Sequence, residues 1–592
     1  MRKFYTIIFL PFVIVLFCFT QTSPPKREFR GVWISTVTNI DWPPSPSLSV
    51  DNQKKELVNL LNILSSVGVN VAVFQIRPEC DALYNSPYEP WSKWLTGGQG
   101  IAPNPLWDPL QFAVDEAHKR GMELHAWFNP YRAERSVGNY TTANNHVTKV
   151  HPEWILQNGN VKFLDPGLSE VRDYVSKIIS DVVRRYEIDA AHMDDYFYVE
   201  TMGSQDSATF ANYPRGFTDI GEWRRDNVNT LIKQVHDSIK TIKPWVKWGI
   251  SPRGIWKNGV PTGIIGNNNY STIYCDAVAW MTGRYIDYLA PQLYWKIGGN
   301  QDFNKLSAWW YSVSNGVLMV PGLAAYKIGD VSFGGATEIA NQIRYTRTNH
   351  VSEGNIIFTM NNIRDNRGGI TDTLKNTINT YPALLPRMPW LDSIAPLAPS
   401  NLTASFNGTG VVLQWQKPGI ASDNDSAQYY VIYRTQSPDT INSDNARQII
   451  AITVNDSTRF TDNTVVNGIT YSYLVTAFDK LNNESDAVTK INLTATGVGG
   501  RVTSPLAYSL DQNYPNPFNP LTTIQYTIQK PSFTSLKIYD LLGREIAVLV
   551  EGEMAEGTHQ HQFSGANLAS GVYVYRIVSG NFVQSKKMIL QK

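Results

Sequence analysis

The chain has 592 residues, and at about 150 residues per domain this length predicts several domains rather than one core. Hydrophobic residues make up 42% of the sequence and charged residues 17%, which excludes a disordered or collagen-like chain. The 52 Lys and Arg nearly balance the 51 Asp and Glu, so the chain lacks the positive charge typical of nucleic-acid and anionic-lipid binding, and we expect no nucleic-acid partner.

The N-terminus predicts a secretory signal peptide over residues 1–22. A basic MRK start is followed by an apolar run from Phe4 to Phe19 and then by polar residues. One alternative is a membrane anchor, but the run is shorter than the roughly 20 apolar residues that a spanning helix needs. Lipidation of Cys18 is a second alternative, disfavoured by the bulky Phe17 before it. We therefore expect no membrane span in the mature protein.

The chain has three cysteines, too few for a disulfide framework or a Cys-rich zinc site. Cys18 falls in the predicted signal peptide. Cys80 and Cys275 therefore remain, as one disulfide or as two free thiols.

Residues 28–390 alternate strand-like and helical patterns. Apolar residues from Leu57 to Leu64 have the spacing of a helix that ends at Gly68, and residues 171–182 repeat that spacing. The strand-like runs are 29–35, 70–77, 122–128, 188–194, 245–251, 286–294, 317–323 and 355–360. Eight strands with crossover segments predict a (β/α)8 barrel of the TIM type. A doubly wound open sheet is the alternative, but no glycine-rich phosphate loop follows any strand.

Two stretches rich in proline or glycine, 381–400 and 494–504, read as linkers. The block between them, 395–494, has short strands at regular spacing. Trp415 lies in an early strand and Tyr471 opens a late one, as in a fibronectin type III module with Tyr471 as the tyrosine corner. We interpret this block as a spacer or weak binding module.

Residues 513–592 alternate apolar and polar positions between glycine turns, which predicts a second small β-sandwich. The segments NYPNPFNPLTTIQYTI, LKIYDLLGREIAVLV, GVYVYRIVSG and SKKMILQK closely resemble the C-terminal sorting domain of the type IX (Por) secretion system. This resemblance implies the type IX machinery as a partner, and a secreted or outer-surface location on a Gram-negative bacterium. An ordinary β-sandwich without a secretory role is the alternative. The predicted fold is therefore multidomain, a (β/α)8 barrel followed by two small all-β sandwich domains.

In a barrel of this type the active site forms at the C-terminal ends of the strands. The fourth strand-like run ends in Asp194-Asp195, and alternation points His192 and Asp194 to the barrel axis. Adjacent carboxylates repel each other, so the pKa of one rises and that group can hold a proton near neutral pH. A general acid needs this property. The alternative is a structural pair that caps the following segment or binds a loop arginine.

A metal site is a third interpretation of the same region. His125, His192 and Asp194 offer ligand atoms, but histidines in polar barrel interiors are usually hydrogen-bonded structural residues. We therefore expect neither a metal nor a cofactor.

Tryptophan usage favours a sugar ligand. All tryptophans except Trp415 lie at or before Trp390, and several fall in loops that follow strands. Flat aromatic surfaces beside Asn, Gln and Arg suit pyranose rings, whose faces are apolar and whose rims are polar. We predict a polysaccharide substrate.

Seven segments between residues 27 and 295 carry a family resemblance: REFRGVWISTVTNIDWP, FQIRPECDALYNSPYEPWSKWLTG, HAWFNPYR, FLDPG, HMDDYFY, GISPRGIW and IDYLAPQLYW. In that order they closely resemble the glycosyl-hydrolase-like 10 domain, a family of extracytoplasmic (β/α)8 proteins. The resemblance implies a glycosidase fold, and characterised relatives cleave peptidoglycan strands stripped of stem peptides. The motif positions are Asp81, His125, Asn129, Arg132, Asp194, Asp195, Tyr196, Gln292 and Tyr294.

Two positions depart from the family pattern. Glu79-Cys80 stands where relatives carry small residues, so Glu79 is a doubtful catalytic residue. Val199 replaces a proline after the DDYFY motif.

We predict Asp194, Asp195 and Asp81 as catalytic residues, with Asp194 or Asp195 as the proton donor. If Asp81 is the second carboxylate, its separation from Asp194 decides retention (about 5–5.5 Å) or inversion (about 6.5–9.5 Å). Alternatively, the pair resembles that of retaining hexosaminidases, where one carboxylate orients the 2-acetamido group of the substrate and the other is acid and base. The predicted substrate-binding residues are Arg77, His125, Trp127, Asn129, Arg132, Tyr196, Gln292, Tyr294 and Trp295. The alternative function is a non-catalytic surface protein for glycan binding or adhesion.

Overall fold

The computed structural model describes residues 24–454, 457–487, 490–495 and 508–592. The predicted signal peptide, with Cys18, and most of the second predicted linker lie outside these ranges. Within them, no helix has the length and apolar character needed to cross a membrane. The two described cysteines, Cys80 and Cys275, are buried free thiols, which decides between the alternatives for them.

A nine-stranded parallel sheet forms the predicted barrel. Its strands are β1 (Phe29–Ile34), β2 (Val71–Arg77), β3 (Glu123–Phe128), β4 (Ala190–Met193), β5 (Lys247–Ile250), β6 (Tyr288–Leu289), β7 (Leu318–Met319), β8 (Gly322–Ala324) and β9 (Gly354–Phe358). The order across the sheet is β7-β6-β5-β4-β3-β2-β1-β9-β8, so β7 and β8, which are consecutive in the chain, lie at its two edges. A bridge between Gln292, which follows β6, and Gly322 of β8 closes the sheet. The predicted (β/α)8 fold is confirmed.

The seventh predicted strand differs from expectation because it is split in two. Pro321 separates β7 from β8 and has no N–H to donate to a ladder. The backbone N–H of Gly322 resumes pairing by donating to the carbonyl of Pro291 at 2.8 Å. The single predicted strand 317–323 therefore supplies β7 and β8, the two edge strands of the sheet.

Helices pack around the barrel with their apolar faces inward. The first, Val50–Ser66, begins at Ser49, whose hydroxyl accepts the N–H of Asn52 at 3.4 Å. All four predicted leucines of its apolar face are buried. The chain leaves this helix at Gly68, where φ is +73°. The other helices of eight or more residues are Pro109–His118, Ser169–Arg185, Ile220–Ile242, Phe303–Ser312 and Ala336–Asn349. Shorter helices are Lys93–Thr96, Val147–Val150, Ser207–Asn212, Asn269–Thr272, Ala277–Thr282, Met360–Arg364 and Ile370–Thr373.

The barrel interior is filled by side chains rather than by a channel. Tyr288 is fully buried and its ring lies over Gly249, where a Cβ would come within 1.9 Å of the ring. The Tyr288 hydroxyl lies 2.8 Å from Nδ1 of both His125 and His192. This layer forms the floor beneath the strand ends. An antiparallel sheet of Arg132–Glu134, Ile155–Asn158 and Val161–Leu164 follows β3 near the barrel mouth.

Two antiparallel sheets form the block after the barrel, as predicted for an all-β sandwich. The three-stranded sheet comprises Ser400–Phe406, Val411–Gln416 and Arg459–Asp462. The four-stranded sheet comprises Tyr429–Gln436, Ile449–Ile452, Thr470–Phe478 and Ile491–Thr494. Trp415 is buried, with its ring 5.3 Å from that of Tyr430. The hydroxyl of Tyr471 accepts the backbone N–H of Val466 at 3.0 Å, which is the contact expected of a tyrosine corner.

Replacing Tyr471 by phenylalanine is expected to weaken this corner locally. One hydrogen bond contributes about 1 kcal/mol, so the Val466 amide should exchange its hydrogen roughly three- to tenfold faster. Hydrogen exchange of the full-length protein measures this directly. Tyr573→Phe, which removes a hydroxyl from the C-terminal sandwich, is the matched control and should leave the Val466 amide unchanged. Equal protection of Val466 in the Tyr471 variant and the wild type would contradict the prediction.

The β-sandwich that follows the barrel contacts it through polar side chains. Its loop 479–486 carries Glu484, which forms an ion pair with Arg27 at 3.8 Å. In the same loop, Asn483 accepts a hydrogen bond from Arg387 at 2.9 Å. The block interpreted as a spacer or weak binding module is therefore held against the barrel by polar contacts with Arg27 and Arg387.

The C-terminal residues form two further antiparallel sheets. One comprises Ser509–Leu510, Leu521–Ile528 and Gly557–Ser564. The other comprises Ser532–Tyr539, Glu545–Met554, Gly571–Ser579 and Phe582–Leu590. Their inward side chains share one buried cluster that includes Ile524, Leu536 and Tyr575. The second predicted all-β domain is thus present.

Candidate active site

A cavity of about 260 Å³ opens at the C-terminal ends of the barrel strands. Its lining residues are Trp33, Ser35, Val37, Thr38, Ile40, Gln75, Trp127, Arg132, Arg135, Asp194, Asp195, Tyr196, Ser251, Gln292, Tyr294 and Phe358. Both members of the predicted acidic pair are among them. The cavity also collects aromatic rings from five different strands or the segments that follow them, which suits a sugar ligand.

Asp194 follows β4 and is almost completely buried, with 3% of its surface exposed. Its Oδ2 accepts hydrogen bonds from Trp127 Nε1 at 3.0 Å and from Asn129 Nδ2 at 3.2 Å. Its Oδ1 has no hydrogen-bond partner among the described residues. Burial, and then the charge of Asp195, raise the pKa of Asp194 to about 7. We expected mutual repulsion to dominate this shift, but loss of water around the carboxylate contributes more.

Asp195 has a different environment. Its Oδ2 accepts a hydrogen bond from Arg253 Nε at 2.8 Å, and its Oδ1 accepts one from Gln292 Nε2 at 3.0 Å. Arg253 also contacts Glu200. The alternative that a loop arginine binds the pair thus holds for Asp195, while the described residues offer Asp194 no ion pair. The site therefore contains one carboxylate paired with an arginine and one that can carry a proton.

Two further side chains predicted to bind substrate lie at the cavity edge. The guanidinium carbon of Arg132 lies 4.4 Å from the ring centroid of Tyr196. The Arg132 Nε and Nη2 groups donate to the carbonyl of Pro78 at 3.2 and 3.1 Å. Tyr196 is 46% exposed, so one face of its ring is open to a ligand.

Five predicted site residues do not line this cavity, and buried partners hold three of them elsewhere in the barrel. Asp81 is fully buried, and its oxygens accept from Gln99 Nε2 and from the N–H of Glu79, both at 3.1 Å. Burial, and then the charge of Glu79, raise the pKa of Asp81 to about 7. Arg77 forms a buried ion pair with Glu89 at 2.6 Å. These partners hold the two side chains within the protein.

The third is His125, which lies one layer deeper in the barrel. Its Nε2 is 3.0 Å from Glu123 Oε2, and its Nδ1 contacts Tyr288. His192 Nδ1 also contacts Tyr288, and its Nε2 lies 3.0 Å from the hydroxyl of Ser251. The ring nitrogens of both histidines are therefore occupied by partners other than Asp194. In the described part of the chain, no three His, Cys, Asp or Glu side chains converge on a metal-binding geometry. His125, His192 and Asp194, the ligands that the metal interpretation named, are described residues and do not form such a group.

Two other predicted residues lie beside the cavity. Asn129 is buried behind Asp194, and Arg77 Nη1 donates to its backbone carbonyl. Trp295 lines a neighbouring cavity, which also reaches Gln292 and Tyr294. Most of the predicted site residues therefore line one cavity. Arg77 lies outside it and holds the backbone of Asn129, which in turn donates to Asp194.

Sequence reasoning gave no site role to Gln75 and Arg253. Gln75 Oε1 accepts the N–H groups of Thr36 and Val37 at 3.0 and 2.9 Å, while its buried Nε2 has no partner among the described residues. The positions of Gln75 and Arg253 at the ends of strands could have indicated a place in the site. Their roles depend on hydrogen bonds to other strands, which the sequence pattern of a single strand does not show.

Comparison with known proteins agrees with this geometry. Residues 28–335 match the family model described as glycosyl hydrolase-like 10. The chain belongs to the glycosyl hydrolase-like 10 family. Residues 512–591 match the secretion system C-terminal sorting domain, which indicates a secreted or cell-surface protein.

Curated relatives and a solved structure extend the comparison. Glycosyl hydrolase YngK of Bacillus subtilis (strain 168) is 40% identical over 493 residues, covering 79% of this chain and 94% of that protein. Glycosyl hydrolase DigH of Escherichia coli (strain K12) is 36% identical over 370 residues, covering 57% of this chain and 84% of that protein. The glycoside hydrolase domain of PgaB (BpsB) from Bordetella bronchiseptica aligns with 11% identity and a TM-score of 0.42, over 60% of this chain and 99% of that domain.

Proposed function

We propose that this protein is a glycoside hydrolase that cleaves glycan strands of peptidoglycan or a related N-acetylated polysaccharide. The observation that carries the proposal is the environment of Asp194. The pKa of its carboxyl group is near 7, its Oδ1 has no partner among the described residues, and its neighbour Asp195 is paired with Arg253, in a cavity lined by Trp and Tyr rings. A general acid that works at neutral pH needs these features.

The free polar atoms of the cavity support an N-acetylated substrate. Gln75 Nε2 is a buried donor without a partner, and Asp194 Oδ1 is a buried oxygen without one. The acetamido carbonyl of an N-acetylated sugar can accept from Gln75 Nε2, and the glycosidic oxygen of the same sugar can pair with Asp194 Oδ1. Binding of such a sugar would satisfy atoms that otherwise carry an unfavourable desolvation cost.

The proposed mechanism assigns different work to the two aspartates. Protonated Asp194 gives its proton to the glycosidic oxygen as the bond to the anomeric carbon breaks, and the acetamido oxygen of the substrate bonds to that carbon. Asp195, which Arg253 and Gln292 hold in place, accepts the acetamido N–H and stabilises the positive charge that develops. Water then attacks the anomeric carbon as the bond from that carbon to the acetamido oxygen breaks, and the proton that the water loses passes to the Asp194 carboxylate, which restores both the acetamido group and the acid. This route needs no protein nucleophile, and Asp81 does not line the cavity.

Incubation with purified peptidoglycan glycan strands free of stem peptides tests the proposal. The wild type should generate new reducing ends with retention of anomeric configuration, while Asp194→Asn and Asp195→Asn should generate few. If the wild type binds the strands without ever producing reducing ends, the alternative of a non-catalytic glycan-binding or adhesion protein is correct.

Trp127→Phe is expected to shift the pH dependence of this activity. Trp127 Nε1 donates to Asp194 Oδ2 and so favours the ionised form of the carboxyl group. Without that donor the pKa of Asp194 should rise further, and the fall of activity at alkaline pH should move upward by about half a pH unit to one unit. Rates measured from pH 5 to 10 provide the test. A downward shift would contradict the prediction.

We also propose the cellular context from the two termini. Residues 1–22 would direct export from the cytoplasm, and residues 513–592 would pass the protein to the type IX machinery for release or attachment at the outer surface of a Gram-negative bacterium. Residues 28–390 would act on the glycan, with residues 395–494 as a fibronectin type III-like support. Deletion of residues 513–592 should leave the protein in the periplasm of its native host, and unchanged secretion would contradict this assignment.

A further inference from the structure

A second cavity, of about 370 Å³, lies directly beside the candidate active site. The two cavities share Gln292 and Tyr294 as lining residues. Because Gln292 also holds Asp195, the second cavity begins at the catalytic pair. A chain of sugars with one ring in the first cavity can therefore place the next ring in the second.

The walls of this second cavity suit a sugar ring. Its lining includes Tyr294, Trp295 and Tyr326, and Tyr326 is 37% exposed. Amide side chains such as Asn267 and Gln301 stand among these rings. Aromatic surfaces with interspersed amides match the apolar faces and polar rims of pyranoses.

The charge of this cavity is one-sided. Its lining contains Arg253 and Lys327 but no Asp or Glu. Arg253 is already paired with Asp195 and Glu200. Lys327 lies at the mouth of the barrel just after β8, and its Nζ donates to the carbonyl of Tyr294 at 2.7 Å. Among the described residues no carboxylate approaches this ammonium within ion-pair distance. An ammonium has three N–H donors, so two of them are left for a ligand.

We propose that this second cavity is a subsite for a sugar that carries a carboxylate, and that Lys327 is the residue that selects it. The inference rests on the proposed glycosidase function and narrows it to an anionic glycan. The carboxylate can come from an ether-linked acid, as in the lactyl group of muramic acid, or from a hexuronic acid. A charge-assisted hydrogen bond to Lys327 would favour either over a neutral sugar.

Matched oligosaccharides test the subsite in the full-length protein. The three probes are a chain that alternates N-acetylmuramic acid with N-acetylglucosamine, a chain of N-acetylglucosamine alone, and a chain that alternates hexuronic acid with N-acetylglucosamine. For Lys327→Met, the ratio of KM for a carboxylate-bearing chain to KM for the neutral chain should rise about tenfold relative to the wild type. Lys327→Arg should restore the wild-type ratio, because it keeps the charge. Lys296→Met removes an exposed lysine that lines neither cavity and should leave the ratio unchanged.

The two carboxylate-bearing probes show whether the bound carboxylate belongs to muramic acid or to a hexuronic acid. The chain that carries the natural sugar should show the larger increase of KM on Lys327→Met. An equal change of KM on charged and neutral chains would show that Lys327 only supports the fold around Tyr294, and would overturn the inference. Calorimetric binding of the same probes to Asp194→Asn protein needs no turnover. If that protein binds charged chains more tightly and loses the preference with Lys327→Met, the subsite stands even where the proposed hydrolysis fails.

Discussion

Asp194→Asn is expected to lower kcat on glycan strands by roughly 10²- to 10⁴-fold, the range for loss of a general acid. The asparagine oxygen can still accept the hydrogen bonds from Trp127 and Asn129, so the cavity should keep its shape. The amide has no acidic proton to give to the leaving oxygen. Initial rates of reducing-end formation measure the effect. A decrease of less than tenfold would show that another group supplies the proton.

The pH dependence of the wild type gives a second view of the same residue. A general acid works in its protonated form, and the pKa of Asp194 is raised to about 7, so activity should fall as pH increases through 7. The pKa of Asp81 is also raised to about 7, so the profile alone does not identify the acid. Asp81→Asn is therefore the matched variant, and it should retain the fall above pH 7. Loss of that fall in the Asp81 variant would assign the titration to Asp81 instead.

Stability measurements separate lost chemistry from lost folding. Between the ordinary pKa of an aspartate and about 7, folded Asp194 binds more protons than unfolded Asp194, so its contribution to the free energy of unfolding falls as pH rises through this window. Asp194→Asn removes that titration. The variant should therefore be at least as stable as the wild type at pH 8. An inactive variant with a lower Tm at pH 8 would point to damage rather than to a missing acid.

Gly249→Ala is expected to destabilise the barrel by at least about 3 kcal/mol or to prevent folding. An alanine Cβ would lie 1.9 Å from the Tyr288 ring, far inside van der Waals contact. Tyr288 has no free space to enter, because it is fully buried and its hydroxyl contacts both His125 and His192. Displacing this ring would also disturb the floor of the candidate site.

Urea denaturation followed by tryptophan fluorescence provides the measurement for Gly249→Ala. Gly335→Ala is the matched control, since a Cβ at Gly335 meets no atom within 4 Å and its φ is −99°. Gly335 is the N-cap of the helix Ala336–Asn349, where alanine is slightly less favourable than glycine, so that control should change the free energy of unfolding by less than about 1 kcal/mol. Equal stability of the two variants would contradict the packing argument.

Local sequence patterns were enough to predict most of the barrel elements. The helix with buried Leu57 and Leu64 was predicted because side chains three and four residues apart share one face. The alternation around His192 placed Asp194 at a strand end, and Gly68 ended a helix where φ is positive. Each of these features depends on neighbours within a few residues. The split of the seventh strand at Pro321 was not predicted. It accompanies closure of the barrel between segments that are distant in the chain, and a local sequence pattern does not show such a contact.

By itself, therefore, the sequence determined the order of the domains, the barrel and the acidic pair at the end of its fourth strand. Only the tertiary structure decided which charges meet. Asp195 lies against Arg253 and Asp81 against Gln99, whereas Asp194 keeps a free oxygen. The sequence could not decide this, because the pKa and the free hydrogen-bonding atoms of a carboxyl group depend on its burial and on partners from other strands. Folding brings these partners within a few ångströms.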